Sequence, residues 1–363
     1  MPDTASRKMQ RSICVIAEDL SLPIDEGIKH FASSLIQGWS QEYRVLGLSV
    51  RSQGQITTPH TASLRTNKFF LSYRLFSRLR RFKPEIICYV PSASATIFSF
   101  LRARMLKVYC PGARVVMVSL QPRRYGRVSR HLIPLFSPDM IYVQHEPAMR
   151  QLLAMGCKAK LLTSGVDLHK FTPVSQDKKR VLRIKYGLDA EAFTVLHVGH
   201  ITEGRNIELL TEVYREHSAQ VILVGSSLVH KDRAELSARL REQGIIIIDK
   251  YLENIEELYQ LSDFYIFPVF SDQSCIGTPL SVLEAMACNL PVVTVRYGLL
   301  PHLFSEGQGL FFADAPDGLI RSIAKARNMN GGCHTRENVA AYSWEKVASD
   351  ILEQPQTREE IYS

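Results

Sequence analysis

Residues 263–295 read DFYIFPVFSDQSCIGTPLSVLEAMACNLPVVTV. Two β-rich runs, DFYIFPV (263–269) and PVVTV (291–295), flank a helical segment, PLSVLEAMA (279–287), in which only Ser281 and Glu284 are polar. Strand, helix, strand, with strands apolar on both faces, is the pattern of a parallel sheet covered by helices. Ser281 and Glu284 are three residues apart and share one face. A carboxylate on so apolar a helix needs hydrogen-bond donors if it is buried. Ligand hydroxyls or a neighbouring Arg would supply them; a solvated helix face is the plainer alternative. Thr278 is expected as N-cap and Pro279 as the first helical residue. The free amides there, with small Gly277 and Thr278 ahead of them, suit a phosphate. Hydroxyls beside a phosphate describe a nucleotide-sugar.

The same alternation extends outward in both directions. SICVIA (12–17), YRVLGLSV (43–50), EIICYVP (85–91), RVVMVSL (114–120) and MIYVQ (140–144) read as strands in the first half, and FTVLHVG (193–199), AQVILVG (219–225) and IIIID (245–249) join the opening unit in the second. Two such series predict an α/β protein of two doubly wound domains, with ligand sites at the carboxyl ends of the strands and a cleft between the domains. At 363 residues the chain is long enough for both cores. FTPVSQDKKR (171–180) marks the boundary. The expected domains are 1–172, 173–343, and a tail at 344–363 that returns toward the first.

Composition bounds the class. No stretch is apolar for long enough to cross a membrane, and the N-terminal MPDTASRKMQRSICVIA reads as a lead into a strand and as no signal peptide. The seven cysteines are scattered, without zinc spacing, as in a reducing cytosol. A cytoplasmic protein, peripheral at the inner face of the membrane, is expected. The net charge of +8 is unevenly spread: residues 1–170 carry 25 Lys and Arg against 10 Asp and Glu, and the remainder 19 against 26. A basic first half predicts an anionic partner. The stripe RTNKFFLSYRLFSRLRRFK (65–83) has seven cations, no acid, and interleaved Phe and Leu. It reads as an interfacial helix on an anionic membrane, or as a domain helix with its apolar side inward. Nucleic acid is not expected, since no zinc finger or RNP motif occurs. A dehydrogenase is not expected either, since no GxGxxG follows a strand.

SDFYIFPVF and GTPLSVLEAMACNLPVVTV resemble the signature of the GT4 family of retaining glycosyltransferases (GT-B fold, glycosyl transferases group 1). SPDMIYVQHEPAMRQLLAMGCKAKLLTSGVDLHKFTP (137–173), TVLHVGHITEGRNIELL (194–210), and VILVGSS with IIIIDKYLENIEELYQLSDFYIFP (245–268) resemble that family's segments in the same order, and PEIICYVPSASA (84–95) and VVMVSLQPRR (115–124) fit its first domain. The resemblance implies two Rossmann-like domains and a final helix, here around Trp344, crossing back to the first. It implies a metal-independent transfer of a hexose-type sugar from a nucleotide-sugar, UDP- or GDP-linked, to a lipid-linked or saccharide acceptor in envelope polysaccharide or glycolipid synthesis. No cofactor beyond that co-substrate and no metal are expected; no DxD motif occurs.

The resemblance also implies roles. Glu284 would bind the nucleotide ribose. The family has a second Glu eight residues earlier, where this chain has Ile276, with Asp272 nearby. An Arg and a Lys usually hold the donor diphosphate; here His200 follows Gly199, and Arg205 takes the place of the Lys, a bidentate and permanently charged donor. Donor contacts are expected at Gly199, Gly225, Tyr251, Leu252, Gly277, Thr278, Pro279, Leu280 and Ser281. Acceptor contacts are expected from Gly27 and Lys29 in the DEG turn, and from Ser119, Gln121, Arg123 and Arg124. The missing Glu leaves a second reading open: a catalytically silent relative that binds a nucleotide-sugar or acts as a scaffold. A sugar epimerase of similar fold is disfavoured by the GVD and PLSVLEAMA segments.

Overall fold

The computed structural model describes residues 11–24, 26–51, 56, 60–92, 94–225, 231–327 and 332–353, the side chains of 231–233 excepted. The chain forms two compact units: residues 1–163 with 344–363, and residues 164–343. The sequence places the boundary at 172/173; the units divide at Thr163/Ser164, so 164–172 packs with the second.

The first unit holds a seven-stranded, wholly parallel sheet of β1 (Ser12–Ala17), β2 (Arg44–Ser49), β3 (Thr61–Ser63), β4 (Ile86–Val90), β5 (Arg114–Ser119), β6 (Met140–Val143) and β7 (Ala159–Leu161), in the order β3-β2-β1-β4-β5-β6-β7. Its central strands are buried on both faces, which their unbroken apolar runs require. One face of the sheet is covered by the helices Tyr73–Phe82, Ile97–Tyr109 and Glu146–Ala154 and the short turn Ile133–Phe136, which send Leu75, Leu79, Phe100, Leu106, Ile133 and Leu152 into a single core with the strands.

The final helix, Trp344–Leu352, belongs to this unit, as the resemblance implies, and packs on the Gly27–Ser40 helix. Trp344 meets Phe31 edge-on at 5.5 Å, and the Trp39 indole donates to the Ala348 carbonyl at 3.1 Å. The guanidinium of Arg114, at the start of β5, fans over the carbonyls of Ile351, Leu352 and Glu353 at 3.3–3.4 Å. A cation on the last carbonyls satisfies both their lone pairs and the helix dipole.

The predicted helix over the basic stripe is shorter than its sequence pattern: only Tyr73–Phe82 is helical. Upstream, the Asn67 side-chain oxygen takes the amides of Phe69 and Leu71, a local arrangement that competes with helix. The helix starts where Ser72 caps Leu75 and ends at Lys83 in a left-handed conformation.

The second unit repeats the plan with β8 (Thr194–Val198), β9 (Gln220–Val224), β10 (Ile246–Ile248), β11 (Phe264–Phe267), β12 (Val292–Val295) and β13 (Leu310–Ala313), parallel in the order β10-β9-β8-β11-β12-β13. The order reverses between β8 and β11, and ligands of such sheets bind outside the strand ends at that point. Phe171 is buried in this unit's core, and Ser175 caps a helix at Gln176–Lys185, so most of the 171–180 segment is structured within the unit. Among the described residues no helix is long and apolar enough to cross a membrane.

Trp344→Ala, by emptying the contact between the last helix and the first unit, is expected to lower that unit's stability by about 3–5 kcal/mol. Urea unfolding followed by far-UV circular dichroism measures it, and a loss below about 1 kcal/mol would mean the helix is not held through this residue.

Candidate functional site

The loop after β8 turns at Gly199, and a single helical turn, Glu203–Arg205, presents Arg205. Its guanidinium is buried and donates from one nitrogen to the Ser274 carbonyl at 2.9 Å. The other nitrogen lies over Gly199: a Cβ there would stand 2.2 Å from it, so only glycine lets the cation sit at the strand end. The loop after β11 is fastened to this turn by the Ser274 hydroxyl, which donates to the Gly204 carbonyl at 3.0 Å. The Tyr297 hydroxyl accepts from the Cys275 amide at 3.1 Å and donates to the Cys275 carbonyl at 2.8 Å. Farther along, the Gly277 carbonyl receives the Leu299 amide at 2.9 Å. That approach depends on Gly298, whose φ is +53° and whose Cβ would lie 1.9 Å from the carbonyl oxygen.

The helix that follows runs Leu280–Ala287, one residue later than the sequence reading puts it. Pro279 is the flanking residue in an extended conformation, with no side-chain cap. Thr278 precedes a proline, which disfavours helical backbone there, and its carbonyl is taken by the Ser164 hydroxyl at 2.9 Å. Ser281 is half-buried, and its hydroxyl bonds Tyr265, whose own hydroxyl lies 3.4 Å from the Val198 carbonyl. One tyrosine therefore ties Ser281 to the end of β8, beside Gly199.

Glu284 is buried in the apolar helix. It accepts a 2.6 Å hydrogen bond from the Tyr259 hydroxyl. Burial pushes its carboxyl up to about 7, against the opposing pull of Tyr259 and of the Lys170 charge. The Gly-Val-Asp turn explains how these neighbours arrive. The Asp167 carboxylate takes the amides of His169 and Lys170 at 3.0 and 2.9 Å, closing a turn that sends Phe171 edge-on to the Tyr259 ring at 5.5 Å. Arg336 braces the same turn through the carbonyls of Leu168 and Phe171, and reaches the Ala287 carbonyl at the helix's end.

His197, on β8, was not singled out by sequence reasoning. It is fully buried, and its Nδ1 pairs with the Ile266 carbonyl at 2.9 Å. Its Nε2 has no partner and faces the same spot above Gly199 as Arg205. Burial holds its pKa down at about 4, and Arg205 adds to the effect, so the ring is neutral. The signal was available: a polar residue in TVLHVG at a strand position that should be apolar on both faces.

The remaining predicted donor residues follow the carboxyl ends of β8, β9 and β10. Gly225 follows β9 and donates its amide to Ile248, and His200, next to Gly199, is half-buried. Tyr251 and Leu252 follow β10; Tyr251 is half-exposed, and Leu252 packs against the core. Ile276 is buried, whereas Asp272 is exposed.

In the first unit, Gly27 opens its helix and Lys29 pairs with Asp19 at 2.8 Å. Asp25, of the same turn, lies outside the described residues, as do Ser226 and Ser227 of VILVGSS. The Ser119 hydroxyl accepts the Ala95 amide at 3.0 Å and donates to the Gln121 carbonyl at 3.2 Å, so it works within its own loop. Gln121 is half-buried and bridges Ser94; Arg123 and Arg124 are exposed, with Arg123 reaching the Ser94 hydroxyl at 3.3 Å.

Residues 192–328 match the family model described as glycosyl transferases group 1. The sulfoquinovosyl transferase SQD2 of Arabidopsis thaliana is 27% identical over 305 residues, 77% of this chain and 58% of that protein. This chain thus spans a little over half the length of that relative. Among solved structures, sucrose-phosphate synthase from Thermosynechococcus elongatus superposes with a TM-score of 0.76 over 94% of this chain and 97% of that one, at 16% identity. HepE of Anabaena in complex with UDP gives 0.74 over 94% and 98%, at 13% identity. These two share the GT-B fold with this chain.

Two outcomes test the geometry. The Glu284 carboxyl ionises at a higher pH folded than unfolded, so it favours the folded state most below its unfolded pKa of about 4.5 and loses that advantage as pH rises through about 7. Glu284→Gln removes this slope. The variant is expected to gain roughly 3 kcal/mol on the wild type between about pH 4.5 and pH 7 in urea unfolding; parallel pH profiles would contradict the buried carboxylate. Gly298→Ala forces a methyl onto the Gly277 carbonyl and is expected to cost about 2–4 kcal/mol by the same measurement, more than a positive φ alone would.

Proposed function

We propose that the chain is a member of the glycosyl transferases group 1 family, whose model matches residues 192–328, and that it is a retaining, metal-independent glycosyltransferase. It moves a hexose-type sugar from a nucleoside-diphosphate donor to a lipid-linked or saccharide acceptor in glycolipid or envelope polysaccharide synthesis, in the cytoplasm or at the membrane's inner face. The observation that carries the reading is Glu284, a buried carboxylate given one hydrogen bond by Tyr259 and held near neutrality by burial. Ribose hydroxyls would supply the further donors an ionised carboxylate needs.

The chemistry then follows from charge. The bond from the sugar's anomeric carbon to the diphosphate oxygen breaks with its electron pair going to the oxygen. The acceptor hydroxyl bonds the anomeric carbon from the same face, and its proton passes to the departing phosphate oxygen. Arg205, already oriented by Ser274, and the amides at the start of the 280–287 helix meet the charge growing on the diphosphate. His200, next to Gly199 in sequence, would be a further donor. Arg123 and Arg124, exposed on the loop after β5, receive the acceptor. HepE, with the same fold, is solved with UDP, so UDP-sugars are the first donors to try and GDP-sugars the second.

Ile276 supports a second reading, a silent relative that binds donor without transferring it, because Ile276 is buried and the nearest carboxylate in sequence, Asp272, is exposed.

One experiment separates them. Purified chain is incubated with UDP- and GDP-sugars, with and without lipid and saccharide acceptors, and melting temperature and nucleotide release are followed. The proposal expects donor stabilisation with acceptor-dependent release. Arg205→Ala should lower kcat by about 10²–10³-fold, and Glu284→Ala should raise the donor KM by about 10–100-fold. Stabilisation without release would establish the silent relative, and no stabilisation would remove the donor site.

A further inference from the structure

Between Glu42 and Asp139 the only acidic residue is Glu85, against seventeen Lys and Arg. The fold gathers much of this charge in one layer. The Tyr73–Phe82 and Ile97–Tyr109 helices and the Ile133–Phe136 turn, which continues the short helix Arg127–Leu132, send apolar residues into one core on one face of the first sheet. Their other sides point away from it.

Local contacts join these pieces. The Tyr109 hydroxyl donates to the Phe70 carbonyl at 2.9 Å, accepts the Ser72 amide at 3.2 Å, and the Tyr109 ring meets Phe76 at 5.4 Å. Phe69 meets Phe98 at 5.7 Å, with the Lys68 ammonium 5.1 and 5.5 Å from the two ring centres. On the other flank, Phe100 meets Tyr125 at 6.1 Å, and Arg130 donates to the Tyr125 carbonyl at 3.0 Å.

The outer sides of these segments carry strongly exposed apolar side chains: Tyr73 is 81% exposed, Val128 73%, Leu135 68%, and Leu71 and Val108 each 55%. Exposed cations are set among them, including Lys68, Arg74, Arg104, Arg124 and Arg127. Charge alone would suit any polyanion. Large apolar tips among guanidinium groups suit an interface with acyl chains below and phosphates above, where Tyr sits at headgroup level and Arg reaches the phosphates.

We propose that this outer helical layer, from Lys68 through the Ile97–Tyr109 helix to Leu135, is a docking surface for an anionic lipid bilayer. It is wider than the 65–83 stripe, because the 127–135 segment supplies two of its most exposed apolar groups. It depends on the glycosyltransferase reading only for the inference that docking brings the chain to a lipid-linked acceptor. The contact itself stands without that activity.

The test is co-sedimentation of the full chain with phosphatidylcholine vesicles containing none or about 30% phosphatidylglycerol, at low and physiological salt. Binding is expected to anionic vesicles only and to weaken with salt. Reversing Arg74 and Arg127 to Glu should cost at least about tenfold in partitioning. Tyr73→Ser with Val128→Ser and Leu135→Ser should lower binding even at low salt, where charge is intact. Arg74→Lys with Arg127→Lys should retain it. All these positions are exposed, and far-UV circular dichroism with urea unfolding of each variant confirms that the first unit, which carries them, is folded. Failure to bind anionic vesicles, equal binding to neutral ones, indifference to both sets of substitutions, or tighter binding to duplex or single-stranded DNA than to vesicles at physiological salt would each overturn the proposal. Loss of donor binding with vesicle binding intact would count against the transferase reading alone.

Discussion

A carboxylate without water must be compensated, and the second unit is arranged around that requirement at Glu284. The Tyr259 hydroxyl gives it one strong hydrogen bond, Lys170 gives it a field, and the rest of its helix gives it nothing. Removing the charge's hydration raises the carboxyl to about 7, so at neutral pH the group is balanced between its two forms. A residue chosen for stability alone would be Leu here. Keeping a carboxylate there fits the proposed ribose contact, whose hydroxyls would complete its hydrogen bonding.

The Arg205 end of the site shows a different economy of design. The loop after β11 is not held by its own secondary structure. It is held by single polar groups, the Arg205 guanidinium, the Ser274 and Tyr297 hydroxyls and the Leu299 amide, each closing on a backbone group. Such a loop positions free amides at a helix start without needing a side-chain cap there. Two glycines make it possible, Gly199 under the guanidinium and Gly298 under the Gly277 carbonyl. Neutral His197 sits behind Arg205 and adds no competing charge. A cation fixed in advance in this way would lose little entropy on meeting the diphosphate of the proposed donor.

The strands that carry each sheet were legible because burial on both faces leaves unbroken apolar runs, and Glu284 stood out because it broke one. The edge strands β3, β7 and β13 were not legible: β3 and β7 are three residues each without a β-branched apolar run, and β13 is a four-residue LFFA, whereas β10, as short and also at an edge, showed through its run of isoleucines. The helix over 65–83 was overdrawn because Asn67 offers the backbone a local turn that periodicity does not register. Tyr259, twenty-five residues before Glu284, could not be paired with it from sequence, since the contact exists only after the Gly-Val-Asp turn and two helices are packed. The GVD motif was recognised as a resemblance, and its physical reason is the Asp167 turn that delivers Lys170 and Phe171. The layer of exposed apolar groups was legible only in part, because Val128 and Leu135 look like core residues until their neighbours are placed.

The account stands on the claim that Glu284 is a ribose ligand held near its ionisation point. Carboxyl-carbon NMR of Glu284, titrated from pH 4 to 9 with and without saturating UDP, tests it most directly. The predicted result is a midpoint near 7 in the free protein that falls by a unit or more with nucleotide, because hydroxyl donors favour the carboxylate. A midpoint near that of an ordinary glutamate, or one that stays unchanged when UDP is bound, would contradict it.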